Sequence, residues 1–297
     1  MREVRSIPGR RMSSYSSAFA SGLSARFSPA VIWADHRRTL PGSAIVASVL
    51  LVPHAEGTVV VAQPAHGETC AQLGRAWGND LMGRVQPVDD VLLAAARHDD
   101  GWTVWERTPT LDAATGLPHT FATAPFTVHL AIHARWSREL ATENAYAGLL
   151  VSLHHASFFA RPGRIGRLRA GGRRIAAFLD ELDVLCRELR LRLDASDDEV
   201  ERNRRLVRTW DGISHDLLVN VLPRVRSDVP ALEGARELTI ARDGDHFTVE
   251  PWPFGPGVVT VATRGRLLRE TFSDEGEMRQ ALDAAPWVEL SYELRPT

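Results

Sequence analysis

The chain has 297 residues, room for one large domain or two modest ones, and its 35 basic and 37 acidic side chains leave a formal charge of −2, which excludes the global basic field that draws a protein onto DNA or anionic lipid. All of the basic residues are arginine, so Schiff-base catalysis, pyridoxal phosphate attachment and a P-loop lysine are excluded with the ε-amine they need. Two isolated cysteines, Cys70 and Cys186, rule out a disulfide framework and a cysteine-based structural zinc site, and no apolar run approaches the ~18 residues that span a bilayer, so a reducing, cytoplasmic setting is expected.

Residues 1–43 are rich in Ser and Arg, poor in acids and without a sustained period, the composition of an unstructured leader. From Ala44 two β-branched runs, Ile45–Val52 and Thr58–Val61, flank His54-Ala55-Glu56-Gly57 and predict a β-hairpin. Helices are predicted over about 65–77 and 88–97, the second introduced by Pro87 and the acidic pair Asp89-Asp90. After His98-Asp99-Asp100-Gly101-Trp102 and a polar loop, helical periodicity returns over 126–141, 143–159, 172–191 and 196–222. Ser196 and Glu199 stand at capping-box spacing at the start of the last of these. Beyond Pro230 the segments 237–240, 246–250, 258–263 and 287–294 alternate in period two, predicting a small antiparallel sheet. The expected organisation is a leader (1–43), a helical core with a leading hairpin (44–230) and a small β-rich segment packed on it (231–297).

Four positions stand out among the eleven histidines and the acids: His66 opening a helix, the dyad His98-Asp99 at a helix end, His154 in an apolar helix and Asp211 in the last long helix. Separated by a helix or more, they can converge only across a packed core. Neutral imidazoles and carboxylates together suit zinc, manganese or iron with positions left open for water, and the adjacent dyad lets Asp99 bridge to a second ion. His154 rather than His155 is expected to face inward, because the two project about 100° apart and Leu149, Leu150, Leu153 and Ser157 mark the apolar face. Asp100 is a candidate general base, Ser214 one turn after Asp211 a candidate hydrogen-bond partner for a ligand, and Trp102 and Trp105 candidate pocket walls. The pair His129 and His133, without a neighbouring Glu, reads as solvated or capping, and the run Arg161, Arg164, Arg167, Arg169, Arg173 and Arg174 as a solvated loop entering a helix.

His66, then His98-Asp99 with Gly101, then His154, then Asp211 resembles the ordered signature of the HD-domain superfamily of metal-dependent phosphohydrolases, with Trp102 where that superfamily usually has Lys or His. The pieces QPAH, LGRAWG, HDDGW, LDAATGLP, YAGLLVSLHH and WDGIS also look like an uncharacterised bacterial family of unknown function over about residues 45–295. The resemblance implies a mainly α, HD-domain-like helical bundle with an N-terminal β-hairpin and a small C-terminal antiparallel β-sheet. It implies one or two divalent ions (Mn, Zn or Fe) held by His66, His98, Asp99, His154 and Asp211, with hydrolysis of a phosphate ester such as a nucleotide. Two alternatives stay open: a di-iron oxygenase of the same superfamily, and a non-enzymatic interaction module. The expected partner is a small molecule rather than nucleic acid or membrane.

Overall fold

A computed structural model describes residues 49–160 and 172–297. The proposed leader, the first residues of the predicted hairpin and Arg161, Arg164, Arg167 and Arg169 lie outside them. The described residues open with β1 (Val49–His54) and β2 (Gly57–Ala62), joined through Ala55-Glu56. Gly57 has a φ of 145°, and a Cβ there would fall on the carbonyl of Leu268, so only glycine serves.

Helices α1 (Gln63–Ala76) and α2 (Val88–Arg97) follow, then a 3-10 turn at Asp100–Trp102 and a single helical turn, Thr103–Glu106. A two-stranded ribbon pairs β3 (Leu111–Asp112) with β4 (Leu117–Pro118). Four longer helices come next: α3 (Phe126–Glu143), α4 (Ala145–Phe159), α5 (Gly172–Arg190) and α6 (Asp197–Val219). Asn144 caps α4 by accepting the amide of Ala147 at 2.8 Å, and Ser196 caps α6 by accepting that of Glu199 at 3.2 Å. The rest comprises β5 (Arg224–Pro230), β6 (Ala235–Asp243), β7 (His246–Glu250), β8 (Val259–Leu268), α7 (Glu275–Ala284) and β9 (Trp287–Pro296).

The expectation of a mainly α bundle carrying a separate hairpin and a small terminal sheet is overturned. Among the described residues all seven longer strands form one curled sheet in the order β1-β2-β8-β9-β7-β6-β5, and strands account for 25% of those residues against 49% in helix. The hairpin joins through Thr58↔Leu268 to Val60↔Arg266, and β9 slots between β8 (antiparallel) and β7 (parallel), so the sheet is mixed. An isolated hairpin leaves a row of unpaired amides and carbonyls, and β8 supplies their partner. β2 reads as a continuous Val59-Val60-Val61 run because both its faces are covered: Val59 and Val61 pack with Leu218 and Leu267, while Val60 packs with Leu268 and Ala285.

Helix α1 seats on the sheet by a two-way bridge. Gln72 donates Nε2 to the Ala262 carbonyl at 2.8 Å and accepts the Ala262 amide at 2.9 Å. α2 crosses α1 at Gly67, where a Cβ would fall on the carbonyl oxygen of Ala96; this close approach brings the start of α1 beside the end of α2. α4 is enclosed by α2, α3, α5 and α6 and is buried on nearly every side, as its apolar sequence around the whole circumference requires. Among the described residues no helix is long and apolar enough to cross a membrane.

Candidate metal centre

Five side chains from four segments meet where α1, the end of α2, α4 and α6 converge. His66 Nε2 lies 3.1 Å from Asp211 Oδ1, His98 Nε2 lies 3.4 Å from Asp99 Oδ2 and 3.7 Å from Asp211 Oδ1, and His154 Nε2 lies 3.6 Å from Asp211 Oδ2. The ring centroids of His66 and His98 are 5.4 Å apart and those of His98 and His154 5.2 Å, both pairs edge to face. The three imidazole side chains are 0–3% exposed, whereas Asp99 and Asp211 retain 16% and 19%, so the carboxylates mark the open side of the cluster.

Neighbouring groups turn the rings. His98 Nδ1 donates to the carbonyl of Ala95 at 2.9 Å, which aims Nε2 at the carboxylates. His66 Nδ1 lies 2.8 Å from the hydroxyl of Ser214, a fully buried partner able to hold that ring in the same sense. The tryptophan Nε1 of Trp136 donates to the Arg97 carbonyl at 2.6 Å and pins the peptide preceding the dyad. Gly101 follows because a Cβ there would stand 2.7 Å from Trp136 Cβ and 2.9 Å from Ile132 Cγ2.

The inner nitrogens are not satisfied by protein. His98 Nε2 and both nitrogens of His154 are buried without a hydrogen-bond partner. Burial pushes His154 well below the ordinary histidine range, leaving it neutral with a free lone pair. Burial also opposes the charged form of His98, but the Asp99 and Asp211 carboxylates outweigh it and hold His98 well above the ordinary value. Asp99 and Asp211 are lowered in turn, since His98 overcomes the burial that would raise the first and His66 and His98 together do so for the second. Two carboxylates thus face three imidazoles, a donor set suited to a cation.

A second group adjoins the first on its Asp99 side. Asp99, His133 and His155 each offer one ligand atom within 4.8 Å of the others, and the rings of His133 and His155 lie 4.0 Å apart. Burial depresses both histidines, His155 to about 4 and His133 well below its usual value. His155 already donates Nε2–H to the His98 carbonyl at 3.0 Å, with Nδ1 3.0 Å from Ser137 Oγ, so a second ion would have to displace one of these bonds.

Sequence reasoning missed these two residues. Only His154 was expected to face inward, yet His154 and His155 are both fully buried, because α4 has no solvent face to give to either. His133 was expected to be solvated or capping and is instead buried against Trp102 and His155. Its partner His129 meets the carbonyl of Phe121 at 2.8 Å.

The other candidates fall in different places. Asp100 accepts Arg97 Nε through Oδ2 at 2.9 Å. Trp102 is buried and packs edge-on against His129 at 4.8 Å, walling the second group rather than lining an open pocket. Trp105 is half-buried one turn on, and none of the described side-chain contacts links it to the cluster. Arg173 and Arg174 are exposed at the start of α5. Glu106 accepts the Gln63 amide at 2.6 Å, tying the turn after the dyad to the first residue of α1; burial, with the charges of Asp99 and Asp100, pushes it up to about 8.

The model of a family described as "Protein of unknown function (DUF3891)" matches residues 50–270, most of the chain, and the chain belongs to that family. Neither a curated protein nor a solved structure matches it.

Proposed function

We propose that this chain is a divalent-metal-dependent hydrolase of a phosphate ester, with nucleotides among its candidate substrates, and that His66, His98, Asp99, His154 and Asp211 hold the ion. The reading is carried by the buried, unpartnered nitrogens of His98 and His154 facing Asp211. A buried polar atom without a partner costs roughly 1–3 kcal/mol, and a fold that retains three of them at one point has a use for them. Neutral imidazole and carboxylate together suit Zn, Mn or Fe. Such an ion supplies positive charge that polarises a phosphoryl oxygen and acidifies water.

The chain's own groups do the rest. Ser214 and the Ala95 carbonyl fix which nitrogen of His66 and of His98 faces inward. Asp99 and Asp211, the two partly exposed members, define the side from which a substrate approaches. Asp100 is the candidate proton acceptor: Arg97 holds Oδ2 and orients the carboxylate, leaving Oδ1 to take a proton.

The second group favours one further reading. Two ions sharing Asp99, the inner one on His98, His154 and Asp211 and the outer one on His133 and His155, would suit a di-iron oxygenase. Elemental analysis of tag-free protein, beside Asp99→Ala prepared identically, separates the readings. One or two equivalents of Zn or Mn, lost in the variant, with metal-dependent release of phosphate from an ester panel, is the expected result. Two equivalents of iron without phosphatase activity would move the assignment to the oxygenase. A parent that binds no metal after reconstitution would end both.

A further inference from the structure

We propose that Cys70 is a ligand to the ion of this centre, so that the site carries one soft sulfur donor beside its imidazoles and carboxylates. The inference rests on the metal reading above and adds to it a donor that fixes which metals the site prefers. Cys70 lies on α1 about one turn after His66, at i+4 on the same face of the helix. Its Sγ is 3.9 Å from His66 Nε2, the nitrogen that also meets Asp211. Cys70 Sγ, His66 and His98 each offer a ligand atom within 4.8 Å of the other two, and all three residues are buried.

A buried thiol alone would be an ordinary small core residue. The independent observation is His98 Nε2, which is buried, has no hydrogen-bond partner and lies 3.7 Å from Asp211 Oδ1, the oxygen that His66 Nε2 also meets. The chain's other cysteine, Cys186, is buried on α5, outside every candidate ligand group among the described residues.

Coordination needs no oxidant or reductant. The S–H bond of Cys70 breaks, a sulfur–metal bond forms, and the proton leaves to solvent as a divalent ion enters, with no change of oxidation state. Thiolate is a soft donor that suits zinc and discriminates against magnesium and calcium, which prefer all-oxygen shells.

The test is X-ray absorption of the full chain loaded with one equivalent of zinc, beside Cys70→Ser and Cys186→Ser. The parent should show one sulfur scatterer at about 2.3 Å among nitrogen and oxygen at about 2.0–2.1 Å. That shell should vanish in Cys70→Ser and persist in Cys186→Ser. Zinc affinity should fall at least tenfold in Cys70→Ser while manganese affinity changes less than threefold. If Cys70→Ser fails to fold, the parent spectrum still decides, as does a cobalt-loaded parent, whose thiolate-to-metal charge-transfer band should be present. Bound zinc with only nitrogen and oxygen around it would overturn the assignment of Cys70 and leave the metal centre standing. A parent that takes up neither zinc nor cobalt would overturn the metal centre and Cys70 with it.

Discussion

Replacing His154 by leucine should make the metal-free protein more stable and the metal-loaded protein less stable than the parent. His154 is fully buried, and a neutral imidazole brings one donor and one acceptor into the core, neither of which has a partner here. Each unsatisfied group costs roughly 1–3 kcal/mol, and Leu is close to His in size, so repacking should return less than about 1.5 kcal/mol of that gain. The net expectation is a stabilisation of about 2 kcal/mol in chelator. With an ion present the sign reverses: binding to the native state alone stabilises the parent by about 4 kcal/mol at a thousandfold excess over Kd, and a variant lacking this ligand forfeits most of it. Urea unfolding at pH 8, where His154 is neutral in both folded and unfolded chains, reads both arms once in EDTA and once with zinc. A His154→Leu protein less stable than the parent by 1 kcal/mol or more in EDTA would show that His154 is an ordinary packed residue and refute the reasoning.

Ser214→Ala removes the partner of His66 Nδ1 without touching a ligand, so metal affinity should fall 10- to 100-fold with little change in stability in chelator; an unchanged Kd by calorimetry would dismiss the orienting role. Gly67→Ala forces a methyl onto the Ala96 carbonyl and should cost about 1–3 kcal/mol by urea unfolding while weakening metal uptake, since it wedges apart the helices bearing His66 and His98. Glu106 is raised from about 4.5 to about 8, so the folded state holds its proton more tightly than the unfolded one. The stability this contributes is complete below about pH 4.5 and is lost as pH rises through about 8. Glu106→Gln, neutral throughout, should flatten the fall in urea midpoint between pH 5 and 8 in chelator, and parallel profiles would contradict the assignment. Arg226→Met strands the buried carboxylate of Asp216, which accepts Arg226 Nε at 2.8 Å; a loss of about 3–5 kcal/mol at neutral pH is expected, and a near-neutral effect would mean that Arg224 compensates.

The helices and most of the strands were legible because each writes its period locally. Val88–Arg97 was read to the residue, and the Ser196 cap stands where its spacing put it. Strand β5 and helix α7 were not: Arg224–Pro230 alternates charge rather than apolar residues, and Glu275–Ala284 buries only Met278 fully. Sheet membership was beyond reach, since nothing in Thr58–Val61 names Arg266–Leu268 as its partner. In the cluster, the dyad and its order along the chain pointed to the five side chains that meet. His155 escaped because a one-sided helix was assumed where the helix is enclosed, and Cys70 because its i+4 relation to His66 was not followed.

β9 is the last strand in chain order, yet it occupies the middle of the sheet. On a ribosome, the hairpin β1-β2 emerges before the other strands of this sheet and must wait for β8 before it gains a neighbour, and β8 in turn must wait for β9 before it is joined to β7, β6 and β5. His66 follows that hairpin directly, on a helix whose seat is the backbone of β8, so the first proposed ligand in the sequence is also among the last to be fixed in place. The proposed centre can therefore be held by its full sheet only after β9 has been made, so loading of an ion there would follow the synthesis of that strand.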